Sequence, residues 1–162
     1  MAESGGARIS GEQFQELAWR GVPYVGQLGC IVERFEAGDV VVRLPYSDLL
    51  QRPGGTICGP ALMALADITL YGVVLSMIGR VELAMTTSMT VHFLSRPRPE
   101  DVLAEGRLLK LGRRLAVGEV VMRSAGDPQP VCHVTGTYAI PPRDRRERSG
   151  PAPGVDSPGA SA

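Results

Sequence analysis

Between Pro53 and Gly79 the chain carries one charged side chain, Asp67, in the stretch PGGTICGPALMALADITLYGVVLSMIG. An unpaired carboxylate in apolar surroundings is costly, so such a group has a partner, a raised pKa or a chemical task. The same stretch opens with Gly54-Gly55 and Gly59-Pro60, a glycine-rich turn leading into a helix expected over Pro60 to Ile78. Amides at a helix start lack partners within the helix and sit at the positive end of its dipole. Such amides and a lone carboxylate are the parts needed to stabilise an oxyanion and to activate water. Asp67 follows Gly59 by eight residues, about 12 Å along one helix. A single helix therefore cannot bring both groups to one small carbonyl. If both act on the same bond, they come from different subunits. Cys58 precedes the helix, where a thiol pKa falls, but no histidine lies near it in sequence to act as its base.

The elements that must hold these groups can be read in outline. Ser10 to Arg20 predicts a short helix, with Ser10 as N-cap, Glu12 in the first turn, and Phe14, Leu17 and Ala18 on one face. Gly21 and Pro23 end it. Val25 to Phe35 and Asp39 to Leu44 read as a hairpin turning at Glu36-Ala37-Gly38-Asp39. Pro45 to Thr56 is irregular. After the helix, four strands are expected: Glu82 to Leu94, Val102 to Leu111, Leu115 to Arg123 and Val131 to Ile140. Short turns between them predict an antiparallel meander. The helix is apolar nearly all round and must be buried on several sides. The fold class is α+β, a curved antiparallel sheet wrapped around one long central helix. Residues 1–24 form an N-terminal segment with a short helix, 25–141 the folded domain, and 142–162, rich in Pro, Gly, Ser, Ala and Arg, a tail expected to be disordered.

The bulk properties narrow the function. Seventeen basic and seventeen acidic residues cancel, which does not suggest nucleic acid or an anionic membrane as partner. Aromatic residues make up 5%, few for a base-stacking surface. Cys30, Cys58 and Cys132 are scattered and odd in number, and only His92 and His133 could join them. Neither a zinc site nor a disulfide framework is expected, and a cytoplasmic location is. The N-terminal residues lack an apolar signal core. The apolar helix is nearly long enough to span a bilayer, but its central Asp67 argues against that. No metal or redox cofactor is implied.

Three stretches carry a family resemblance: PGGTICGPALMALAD (Pro53 to Asp67), TTSMTVHFLSRP (Thr86 to Pro97) and AEGRLLKLGRRLAVGEVVM (Ala104 to Met122). Through them the chain resembles the hotdog-fold acyl-CoA thioesterases of the phenylacetate-degradation and 4-hydroxybenzoyl-CoA thioesterase type, over roughly Val25 to Pro141. In that family a histidine-glycine-glycine motif opens the helix and an acidic residue follows two turns on. Here Cys58, Gly59 and Pro60 stand at the motif and Asp67 at the acid. Pro60 has no amide, so one possible donor is lost.

The resemblance implies hydrolysis of an acyl-CoA thioester by a homo-oligomer, dimer or tetramer, whose site is shared across a dimer interface. Asp67 would be the base or nucleophile and the Gly59 amide the oxyanion donor. Cys58 would then be a positioning residue and not a nucleophile. Gln51 and Arg52 would meet the acyl end, and Thr86 and Thr87 would offer hydroxyls to the substrate. Lys110, Arg113 and Arg114 at one turn, and Arg96 at another, could grip the phosphates of coenzyme A. Each has a plainer reading, as turn charge or strand threonine. The competing function is an acyl-CoA-binding protein without turnover, in which Asp67 would be salt-bridged away from the pocket. A hydratase would want a histidine near the helix, and none lies between Arg52 and Val91.

Overall fold

The computed structural model describes residues 6–142. Its core is a six-stranded antiparallel sheet in the order β1-β2-β6-β7-β8-β5, laid against one long helix. The strands are β1 (Ile31–Glu36), β2 (Asp39–Leu44), β5 (Met85–Phe93), β6 (Val102–Leu111), β7 (Leu115–Ser124) and β8 (Pro130–Ala139). A short ribbon of β3 (Gln51–Arg52) and β4 (Thr56–Ile57) precedes the helix α3 (Gly59–Ile78). Two N-terminal helices, α1 (Gly11–Gly21) and α2 (Pro23–Leu28), complete the fold.

Alternation shapes the sheet. Along β8, Cys132, Val134 and Tyr138 turn inward and are buried, while His133 and Thr135 remain partly exposed. α3 lies across this inner face with Leu65, Leu70, Val73 and Leu75 buried against Val40, Val42, Val120 and Val134. The helix approaches the sheet closely because Gly106, Gly118 and Gly136 lie beneath it. A Cβ at Gly136 would sit 2.6 Å from Leu70 Cδ1, and one at Gly106 2.7 Å from Thr69 Cγ2. α3 is long and apolar enough to cross a membrane, yet 72% of its most apolar window is buried inside the fold. It is the core helix of the domain.

α1 starts with a capping box in which the Ser10 hydroxyl accepts from the Gln13 amide and the Gln13 side chain accepts from the Ser10 amide. Its inner face buries Phe14, which stacks on Phe35 at 5.2 Å between centroids.

Two expectations are corrected. Residues 25–30 do not begin a strand. Pro23 opens α2 at its first turn and Gly29 closes it with φ 69°, a pairing suited to a short helix because proline lacks an amide and glycine accepts the left-handed region. The four last strands are also not one meander. β6, β7 and β8 follow one another, but β6 pairs with β2, and β5 crosses to the far edge to pair with β8. The linker of residues 94–101, with Pro97 and Pro99, makes the crossing instead of a tight turn. The expected tail lies, from residue 143 onward, outside the described residues.

Candidate active site

Asp67 sits midway along α3, partly buried, where the helix faces β5 and the inward end of β8. Its Oδ1 accepts two hydrogen bonds, from Thr86 Oγ1 at 2.5 Å and from Tyr138 Oη at 2.7 Å. Register explains the pair, since Thr86 and Tyr138 face each other across the β5–β8 ladder. An irregularity between Thr86 and Ser88 separates the two neighbouring threonines. Thr86 turns to Asp67, whereas Thr87 donates to the Thr137 carbonyl at 3.1 Å and serves the sheet. Asp67 has no ion pair among the described residues. Arg52 forms no ion pair with it.

The carboxylate borders a pocket of ≈ 470 Å³. Leu17, Val22 and Val25 come from the N-terminal helices, Ile68 and Tyr71 from α3, and Ala84 and Met85 from the approach to β5. The wall is mainly apolar, with Asp67, Thr86 and Tyr138 as its convergent polar cluster. Burial, and next the negative charge of Asp67, pushes the Tyr138 phenol far above its ordinary pKa. It is therefore a proton donor at any working pH.

Gly59 stands elsewhere. It opens α3, and Cys58 before it is extended, with φ −71° and ψ 148°. The Cys58 amide donates to the Leu50 carbonyl at 2.7 Å, which fixes the chain as it enters the helix. The Gly59 amide has no acceptor among the described residues. The ribbon before it turns at Gly54 (φ 96°) and Gly55 (φ 70°), and Thr56 Oγ1 ties it to the Pro97 carbonyl at 2.8 Å. Gly59 shares a groove with Arg52, Phe93 and Arg96. Gln51 is occupied locally, donating to the Tyr46 hydroxyl and to Asp48.

Arg113 and Arg114 occupy a third place, a groove beside the C-terminal end of α3 with Met77, Ile78 and Arg8. Lys110 is exposed on β6 and does not line that groove. On one chain, then, the expected residues form three separate groups: Asp67 with Thr86, Gly59 with Arg52 and Arg96, and Arg113 with Arg114. His92 and His133 stack on the outer sheet face, where His133 meets Glu119 at 3.2 Å, away from all three.

Sequence reasoning missed Tyr138 and Arg8. Tyr138 left a signal, since it occupies a core-facing strand position and a buried tyrosine hydroxyl needs a partner. Arg8 precedes the first helix and left none.

The thioesterase superfamily profile matches residues 54–131. A solved structure from Silicibacter sp., assigned as a thioesterase, is 35% identical, with 86% of this chain and 97% of that one covered and a TM-score of 0.78. The chain belongs to the thioesterase superfamily. Its fold is the hotdog fold, and thioester hydrolysis is the reaction that this membership supports. A variant of the phenylacetic acid degradation protein PaaI from Thermus thermophilus is 26% identical, covering 72% of this chain and 97% of that one, with a TM-score of 0.64. Zebrafish thioesterase superfamily member 2, at 19% identity over 81% of this chain and 95% of that one and a TM-score of 0.70, shares the fold. No curated protein matches the chain.

Proposed function

We propose that this thioesterase hydrolyses an acyl-CoA to the free acid and coenzyme A. Asp67 acts on the thioester carbonyl, and the Gly59 amide of a second subunit holds the oxyanion. The observation that carries this reading is the Asp67 carboxylate: free of any cation among the described residues, held by two hydroxyls and open to an apolar pocket. A binding protein without turnover would neutralise that charge in an ion pair.

Two routes fit the geometry. As general base, Asp67 takes a proton from water while the resulting hydroxide adds to the carbonyl carbon. As nucleophile, Asp67 adds its own oxygen and forms a mixed anhydride that water then cleaves. In both, the C–S bond breaks and the thiolate departs with its electron pair. A thiol has a pKa near 8.5, so its anion leaves without a strong general acid. That suits a site whose two histidines lie on the other side of the sheet. The positive end of α3 and the unpartnered Gly59 amide favour the negative tetrahedral oxygen.

The need for a second subunit follows from separation. Gly59 and Asp67 lie about 12 Å apart along one helix, while the chemistry needs both near 3 Å from one carbonyl. β5 is a sheet edge, and large apolar side chains at its two ends and just before it are exposed: Leu83 80%, Met85 63% and Phe93 56%. Bare apolar edges of this kind invite pairing. A second copy placed there would cover this surface and supply Gly59, Arg52 and Arg96 beside Asp67. The apolar pocket suits an apolar acyl group, and the Arg113–Arg114 groove suits the CoA phosphates. The free thiols at Cys30, Cys58 and Cys132 fit a reducing compartment such as the cytoplasm.

The test is CoA release from short, medium, aromatic and long acyl-CoAs, with complementation between inactive chains. Asp67→Asn mixed with Gly59→Pro, which lacks the amide, should restore one working site per heterodimer. No hydrolysis of any acyl-CoA would refute the substrate class. No rescue in verified heterodimers would refute the shared site.

A further inference from the structure

We propose that Tyr138 is the positioning residue of the reaction, fixing which oxygen of Asp67 faces the substrate. This rests on the reading of Asp67 as the catalytic group. Tyr138 Oη lies 2.7 Å from Asp67 Oδ1 and 2.8 Å from the main-chain oxygen of the same residue. A phenol has one proton and serves one acceptor at a time. While Asp67 is a carboxylate, the proton goes to Oδ1. When Asp67 has taken up a proton, the phenol can turn to the main-chain oxygen. The buried hydroxyl thus keeps a partner through the whole cycle, and Asp67 changes charge without leaving an unsatisfied group behind it.

Thr86 shares the task at Oδ1 from the opposite strand. With Oδ1 engaged twice, Oδ2 is the oxygen without a partner among the described residues, and it is the one available to water or to the carbonyl. The ring that carries the hydroxyl is held in place. Tyr138 is 3% exposed and stacks on Tyr71 at 6.2 Å between centroids. Placed on β8 and not on α3, the phenol couples the orientation of the acid to the seating of the helix on the sheet.

The test is the pH dependence of kcat/KM for acyl-CoA hydrolysis by Tyr138→Phe in the intact oligomer. A donor to the ionised form favours that form. Its loss should move the acidic limb to higher pH, with kcat lowered several-fold and KM little changed. Replacing Tyr138 with 3,5-difluorotyrosine keeps the ring and strengthens the donor, and should move the limb to lower pH. That variant also decides the matter if Tyr138→Phe does not fold. A role in packing alone would lower the melting temperature and leave the limb in place, and this result would overturn the inference. Asp67→Asn separates the two claims. If it stays active, the reading of Asp67 fails. If it is inactive while both Tyr138 replacements keep the wild-type limb, the positioning role alone fails.

Discussion

A single methyl group at Gly136 should loosen the seat of the helix that carries Asp67. In Gly136→Ala the new Cβ would sit 2.6 Å from Leu70 Cδ1, closer than real Cβ atoms approach anything. Leu70 is 1% exposed, so its side chain can yield only by shifting against packed neighbours. Overpacking of this kind destabilises by about 1–3 kcal/mol. Gly136 does not have positive φ, so alanine also gains about 0.4–1 kcal/mol by restricting the unfolded chain. The net loss is about 0–2.6 kcal/mol, a fall of up to roughly 10 °C in Tm for a domain of this size. Calorimetry of four proteins checks the cause: wild type, Gly136→Ala, Leu70→Ala and the double variant. Leu70→Ala alone should lose about 2–5 kcal/mol. In the double variant the clash is gone, so its loss should fall short of the sum by about 1–3 kcal/mol. Gly21→Ala, with nothing within 4 Å of the added carbon, should be neutral or stabilising. Additive losses, or a higher Tm for Gly136→Ala, would refute the claim that this glycine permits the close approach.

Further outcomes follow from the sites. Arg113→Ala with Arg114→Ala should raise KM for acyl-CoA far more than it lowers kcat, because phosphate contacts remote from the carbonyl bind ground and transition states alike. A pantetheine thioester without the nucleotide should be unaffected, and an equal effect on both substrates would exclude a phosphate role. Cys58→Ser should retain most activity, and complete loss would point to a thiol nucleophile. Burial pushes the Cys30 and Cys132 thiols from 9.0 to about 11. The unfolded chain therefore loses these protons first, and stability should fall as pH rises from 9 to about 11. Cys30→Ala with Cys132→Ala should flatten that part of the pH–Tm curve, and an unchanged slope would show that other groups cause it.

Much of the fold was legible where local signals agree with the final packing. A twenty-residue apolar segment with one charge, opened by Gly59-Pro60 and closed by Gly79, can only be a core helix or a membrane span. β6, β7 and β8 were legible because Gly112 and Gly126-Asp127-Pro128 mark their turns. α2 was not, because Val25 and Leu28 fit a strand as well as a helix turn. There Pro23 reads equally as the end of α1 or the start of the next helix. The pairing of β5 with β8 is a long-range choice that adjacent turns do not encode. At the site, Asp67 and Gly59 stood out by type and position. Of the two threonines, only the register at the β5 irregularity decides that Thr86 meets Asp67 and Thr87 does not. The grouping of Arg113 with Arg114 was visible as a turn. Arg8 joins them only because the chain before α1 runs along the end of α3, where its amide donates to the Ser76 carbonyl at 2.8 Å.

The most direct test of the central claim is kcat for acyl-CoA hydrolysis by Asp67→Asn, measured on protein whose oligomeric state and melting curve match the wild type. Asparagine keeps the shape and can still accept from Thr86 and Tyr138, but it neither takes a proton from water nor attacks a carbonyl. The account predicts a fall of about 10²–10⁴-fold, the usual worth of a positioned acid–base group, and a larger one if Asp67 is the nucleophile. A fall of less than tenfold would contradict it and remove Asp67 from the chemistry.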